Sequence, residues 1–388
     1  MTAEPRERLA SLDALRGLAV LGILAVNASL FAVPMYQAWY PSHWPFPVDQ
    51  TSTVIWAVVQ VLFTGKFITL FSMLFGVSVW LVGGERGDPV RTPRLYRRLG
   101  WLAVFGLLHG LFVWWGDILL IYAVAGLLIA PMRSWPANRL LLAGGSGYLI
   151  LSALDAGHGI LNPDYDIQTW NLVLTHQAGY RDGFLGSLQA NLADWAVLTR
   201  SSGVLNVISA ALLMQVGLGL YKTGILKAEA PARLYGLLIA AGALGVAAMA
   251  ALTVHEMRAE FDVPSMALSA GLLHLIAPLI TLGYIGAMML AVRRRAAMAR
   301  LLAQVGRMAF TNYLTQSVVM TSLFYGGRGP GLFAEVDRPR LALIVAGVWL
   351  GQIIVSHLWL RWFAMGPAEW VWRRLTYATP VAFRRTPS

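Results

Sequence analysis

Residues 97–131, RRLGWLAVFGLLHGLFVWWGDILLIYAVAGLLIAP, hold two apolar segments joined by a Trp-Trp-Gly-Asp corner. His109 lies inside the first segment and Asp117 at the corner. An apolar run of this kind reads as membrane-embedded helix. A charged side chain in hydrocarbon costs from ~2.5 to more than about 10 kcal/mol, so it needs a partner, a water-filled cavity or a function. His109 is therefore the first functional candidate.

The whole chain shares this character. Its 388 residues are 57% hydrophobic and 13% charged, far from the roughly 25% charged residues of soluble domains. The net charge of +11 sits in short clusters between apolar segments rather than in one patch, which argues for membrane topology and against a nucleic-acid partner. The absence of cysteine excludes disulfides, thiolate metal sites and a cysteine nucleophile, leaving His, Asp, Lys or hydroxyls for any chemistry. Neither a Walker-type glycine loop nor an H-E-x-x-H zinc motif occurs, and no metal is expected. Arginines precede the first apolar run without a small-residue cleavage site, so that run reads as an uncleaved span.

About twenty apolar residues cross a bilayer core of ~30 Å. That length predicts an all-α, polytopic helical bundle, one integral membrane domain over 1–388 with ten segments: 12–33, 52–82, 98–115, 118–132, 137–154, 202–221, 233–254, 266–291, 303–323 and 341–362. The segment 118–132 is short, and 52–82 is too long for one upright span, so it tilts, projects or bends at Thr64-Gly65. Lys and Arg test this arrangement, because they gather on cytoplasmic loops. Of the 30, only Arg181, Arg200, Arg258, Arg328, Arg338 and Arg340 fall on one set of alternate loops; Arg16 and Lys66 lie in the spans, and the rest share the other set with both termini. Both termini should face the cytoplasm. Residues 34–50, dense in Pro, Trp and Tyr, read as an interfacial belt or lid. The 155–201 insertion carries Asp155, Asp164, Asp166, Asp182 and Asp194, and its GFLGSLQANLADWAVL half reads as an amphipathic helix on the outer surface. A second amphipathic segment opens the cytoplasmic tail, 363–388. No long internal repeat is apparent.

Five motifs carry a family resemblance: RLASLDALRGLAVLGILAVN at 8–27, GKFITLFSMLFG at 65–76, the hairpin sequence at 97–128, GRMAFTNYLTQS at 306–317 and GPAEWVWRRLTY at 366–377. Together they resemble the YeiB-like family, domain-of-unknown-function family 418. The opening motif is also similar to that of the heparan-α-glucosaminide N-acetyltransferase family, within a wider transmembrane acyltransferase superfamily. The resemblance implies a multi-pass protein of the bacterial cytoplasmic (inner) membrane that takes acyl from cytoplasmic acyl-CoA to a glycan or small-molecule acceptor on the other face; a homo-oligomer is compatible with it. Characterised relatives place their catalytic histidine after the first span. Here the nearest is His43, in a Pro-rich loop of different sequence.

Acyl transfer needs a base or acyl carrier and donors for the developing oxyanion. His109 lies about 16 Å above the cytoplasmic end of its span and suits the first need; the bland alternative is an imidazole tethering two helices. Asp117 orients such an imidazole in a triad, or is simply a turn residue. Lys66 beside Gly65 suits an anionic donor or an oxyanion, or is a structural charge in a re-entrant turn. Arg16 suits donor phosphates, although with Ser11 and Asp13 it also reads as an ordinary helix start at the interface. Asn27 reaches the depth of His109. Thr311, Asn312 and Gln316 form a polar face that lines an acceptor cavity or glues helices. His274, His357, Gln215 and Gln352 read as tethers. The rival function is a secondary transporter of a small anionic or amphipathic solute, with Lys66, His109 and Asp117 as its path.

Overall fold

The computed structural model describes residues 4–47, 49–162 and 177–384, so Asp164 and Asp166 lie outside the described residues. The architecture is all-helical; among the described residues the only β-type contact is an isolated bridge between Phe363 and Arg384. The first half comprises α1 (Glu4–Ala32), α2 (Gln50–Leu62), α3 (Lys66–Gly83), α4 (Arg91–Phe112), α5 (Leu119–Ile129), α6 (Ala137–Leu161) and α7 (Gly183–Ser201). The second comprises α8 (Gly203–Lys222), α9 (Ala232–Arg258), α10 (Val263–Arg293), α11 (Ala297–Arg307), α12 (Ala309–Phe324), α13 (Arg338–Trp362) and α14 (Pro367–Tyr377).

Among the described residues, seven stretches are long and apolar enough to cross a membrane: α1, the bent α2–α3 pair, α6, α8, α9, α10 and α13. This is a membrane protein. The other three predicted segments take shorter forms. Helix α4 begins among Arg91, Arg94, Arg97 and Arg98, α5 has 11 residues, and the 303–323 segment breaks at Met308 between α11 and α12. From Arg98 to Phe112, α4 rises about 21 Å, short of the ~30 Å hydrocarbon, so the corner after it is held inside the bundle's thickness.

Small residues let the central helices meet backbone to backbone. A Cβ on Gly17 would fall 1.9 Å from the Leu302 carbonyl oxygen, and one on Gly306 would fall 1.8 Å from that of Asp13, so α1 and α11 cross at two glycines. The bend in 52–82 falls where the sequence placed one of its three options: Gly65 adopts φ +81°, and α2 ends while α3 begins. Tyr284 and Thr281 of α10 fix the bend, donating to the carbonyls of Leu62 at 2.7 Å and Lys66 at 2.9 Å.

The start of α1 and the last helix share one end of the bundle, here the terminal face. Ser11 donates to the Leu226 carbonyl, and Trp372 of α14 donates to that of Arg98. At the opposite face, Asp49, Asp262 and Asp337 cap α2, α10 and α13, each carboxylate accepting from a first-turn amide. Residues 34–47 pack down over this face, with Met35, Tyr36, Tyr40 and Trp44 buried.

Candidate active site at the α4–α5 corner

The α4–α5 hairpin brings His109 and Asp117 together. Helix α4 ends at Phe112, only one turn after His109, and the chain folds back through Trp114, Trp115 and Gly116. Eight residues that would span about 12 Å along an unbroken helix are thereby closed to a hydrogen bond of 2.9 Å between His109 Nδ1 and Asp117 Oδ1. Both side chains are almost wholly buried, at 3% and 1% exposure. Asp117 Oδ2 accepts from the Leu120 amide at 2.9 Å, which caps the first turn of α5 and fixes the carboxylate.

The bond sets the tautomer. A carboxylate only accepts, so Nδ1 carries the proton and Nε2 carries the lone pair of the neutral ring. Nε2 is buried and has no partner among the described residues. The Tyr313 ring lies 5.3 Å from the imidazole, and the Tyr313 hydroxyl accepts from the Ile118 amide. The corner is sealed by α7: Asn191 donates to the carbonyls of Gly110 and Leu111 and accepts from the Trp115 amide. Asp194 on the same buried face accepts from the Tyr180 hydroxyl at 2.6 Å, and burial pushes its carboxyl up to about 7, partly offset by that bond.

Asp117 lines a cavity of about 600 Å³ between α3, α5, α6, α7, α8 and α10. Its apolar wall is interrupted by Ser72, Tyr122, Asp155 and His274. Ser72 and Tyr122 share a 2.9 Å hydrogen bond. Asp155 and His274 form a second carboxylate–imidazole pair, at 3.5 Å and partly exposed. The size and the few convergent polar groups are those of a small-molecule site.

The remaining sequence candidates are placed elsewhere. Arg16 holds Asp13 at 3.0 Å and donates to Ser78, at the terminal face. Lys66 is fully buried and donates to the Gln60 carbonyl at 2.7 Å, so its ammonium caps the end of α2. It lines neither this cavity nor a second, near Trp44. Asn27 is half-buried on α1 and also lines neither. Thr311 is held by Glu369 of α14, which accepts from its hydroxyl at 2.5 Å and from the amides of Phe310 and Thr311. Asn312 donates to Val305 O and Ser356, and Gln316 to Val20 O and Gln352. These three residues therefore clasp helices. His43 is exposed, with both ring nitrogens engaged by Tyr36 and Ser42.

Sequence reading missed the Asp155–His274 pair, whose members are too far apart in the chain for spacing to join them. It also missed Tyr313, which stands inside a quoted motif but carried no chemical signal of its own.

A family model described as "Protein of unknown function (DUF418)" matches residues 220–379. The uncharacterized protein YeiB of Escherichia coli (strain K12) is 31% identical, over 95% of this chain and 96% of the relative. The uncharacterized protein YxaH of Bacillus subtilis (strain 168) is 32% identical, over 97% and 96%. An uncharacterized 39.9 kDa protein of Bacillus acidopullulyticus is 26% identical, over 96% and 94%. No solved structure shows a significant match. The chain belongs to the DUF418 family.

Proposed function

We propose that this member of the DUF418 family is an acyltransferase of the bacterial inner membrane, with ten membrane-embedded segments and both termini cytoplasmic. It would move an acyl group from cytoplasmic acyl-CoA to a glycan or small metabolite in the cavity beside Asp117. The observation that carries this reading is the buried His109–Asp117 bond of 2.9 Å, with Nε2 of the same ring unpartnered. A carboxylate-oriented imidazole with one free nitrogen is what proton removal from a hydroxyl or amine requires. The acceptor oxygen or nitrogen attacks the thioester carbonyl while His109 Nε2 takes its proton. The carbon–sulfur bond then breaks, and the imidazolium returns the proton to the departing thiolate.

Two further features support the reading. Arg16, Arg307 and Arg373 lie within electrostatic reach of Asp13, and Arg16 and Arg373 within reach of Arg98. This basic cluster at the terminal face suits the phosphates of CoA. The opening motif's similarity to the heparan-α-glucosaminide N-acetyltransferase family favours the same reaction class, and the engagement of both nitrogens of His43 turns attention to His109.

The second carboxylate–imidazole pair favours one alternative, a proton-coupled transporter whose solute occupies the same cavity. One assay separates the two. Purified protein is incubated with labelled acetyl-CoA and a mixed lipid and glycan extract, and label is sought in the extract and on the protein. Transfer lost in His109→Gln and retained in His274→Gln supports the enzyme. Full transfer by His109→Gln removes the assigned role. Solute uptake into vesicles without covalent change to any acceptor favours the transporter.

A further inference from the structure

A second cavity, of about 330 Å³, opens near the opposite face between the end of α1, α2 and the start of α13. Its wall is mostly apolar, with Ser29, Gln60 and Thr64 among its polar residues, and Arg338 stands at one end of it. Arg338 is 5% exposed, and its Nη1 and Nη2 find no acceptor among the described residues. The neighbouring Asp337 caps α13 and turns to Arg340 instead. The guanidinium lies over the Trp44 ring at 4.2 Å, a contact that favours the cation without satisfying its N–H donors. The buried Trp44 Nε1 is likewise unpartnered. A buried, unpaired charge is costly, and the arrangement lacks an acceptor with two oxygens.

Below the guanidinium, Leu341, Val345 and Trp349 follow at four-residue spacing along α13, and Trp349 Nε1 is already occupied by the Leu21 carbonyl. From Arg338 to Trp349 the helix descends about 16 Å. The result is a polar fork over a narrow apolar slot, at the low end of the volume range of small-molecule sites.

We propose that this cavity binds a single-chain fatty carboxylate, its head on Arg338 and Trp44 and its chain along α13. The planar carboxylate matches the guanidinium fork, and the volume admits one medium chain rather than the two chains of a phospholipid. The site is separate from the cavity beside Asp117 and does not rest on the acyltransferase reading.

The test uses full-length protein in nanodiscs and radiolabelled dodecanoate, with dodecyl phosphate and dodecanol as unlabelled competitors. Saturable binding is expected, displaced by dodecanoate at least about tenfold more readily than by either competitor, since hydrogen bonds to a charged group carry that much selectivity. Arg338→Gln should weaken binding about tenfold or more, and Val345→Trp should abolish it by filling the slot while leaving the guanidinium in place. Equal displacement by dodecanol would overturn the role of the charge. Preferential displacement by dodecyl phosphate would overturn the carboxylate. Unchanged binding in both variants would overturn the location, and if the variants fail to fold, the wild-type competition still decides.

Discussion

Replacing Asp117 by Asn tests the site at its most sensitive point, because the two carboxylate oxygens have opposite neighbours to satisfy only as acceptors. Oδ1 faces His109 Nδ1 and Oδ2 faces the Leu120 amide, both at 2.9 Å. An Asn amide offers one acceptor and one donor group. If its oxygen serves Leu120, its NH₂ faces Nδ1, the imidazole takes the other tautomer, and Nε2 carries a hydrogen where the base needs a lone pair. If its oxygen serves His109, the NH₂ opposes the Leu120 N–H and the first turn of α5 loses its cap. Losing one charge-assisted hydrogen bond costs about 1.5–3 kcal/mol of stability. The wrong tautomer in a serine-protease triad costs about 10⁴ in rate. Asp117→Asn should therefore remain folded, melt a few degrees lower, and transfer acyl groups about 10³- to 10⁴-fold more slowly. The readouts are single-turnover transfer from labelled acetyl-CoA and the ¹⁵N shifts of the His109 ring. A variant with the flipped tautomer and undiminished transfer would refute the base assignment. A purely structural tie predicts the stability loss alone.

Three other outcomes are expected. A cysteine placed at the exposed Asp182 of this cysteine-free chain should react with a membrane-impermeant maleimide from outside intact cells, and labelling only from the cytoplasmic side would reverse the topology. Arg16→Ala should raise the apparent KM for acyl-CoA about tenfold or more, the worth of a charge-assisted phosphate contact, with the acceptor KM unchanged; unaltered CoA binding by the folded variant would remove Arg16 from the donor site. Asp194 holds its proton more tightly when folded than the ordinary value of 3.8 allows, up to about 7. Its stabilising contribution is therefore complete below about pH 4 and is lost as pH rises through about 7, by up to a few kcal/mol. Wild-type protein should melt lower at about pH 8 than at about pH 5, and Asp194→Asn should lose that slope; an unchanged slope would exclude Asp194 as its source.

The helical membrane class was legible because it rests on composition and length, which hydrocarbon thickness constrains directly. The bend at Gly65 was legible as one of three options, since an overlong apolar run must do something with its excess, and a glycine offers positive φ at little cost. The depth of the α4–α5 hairpin was not. Hydropathy counts apolar residues, but the corner at Trp114–Asp117 is held by Asn191, 76 residues along the chain from Trp115. A polar plug from a distant helix supplies the partners that lipid would deny, so a hairpin shorter than the bilayer can end there.

The same distinction governs the site. His109 and Asp117 were readable as a pair because they share a hairpin, and a chain reversal between them is enough to bring them together. Polar residues on separate spans gave no comparable signal. Thr311, Asn312 and Gln316 look alike in sequence to residues lining a cavity, yet each is consumed by a partner on another helix: Glu369, Ser356 and Gln352. Lys66 and Arg338 show the converse. Both are cations in an apolar setting, but Lys66 reaches a carbonyl freed by the end of α2, whereas the Nη atoms of Arg338 reach no acceptor among the described residues. What separates a structural charge from a binding one is therefore the residual donor capacity after folding, a quantity set by neighbours on other helices. In this chain unused donors remain on the Arg338 fork, which lines one cavity, while His109 keeps an unused acceptor at Nε2 and is tied through Asp117 to the wall of the other.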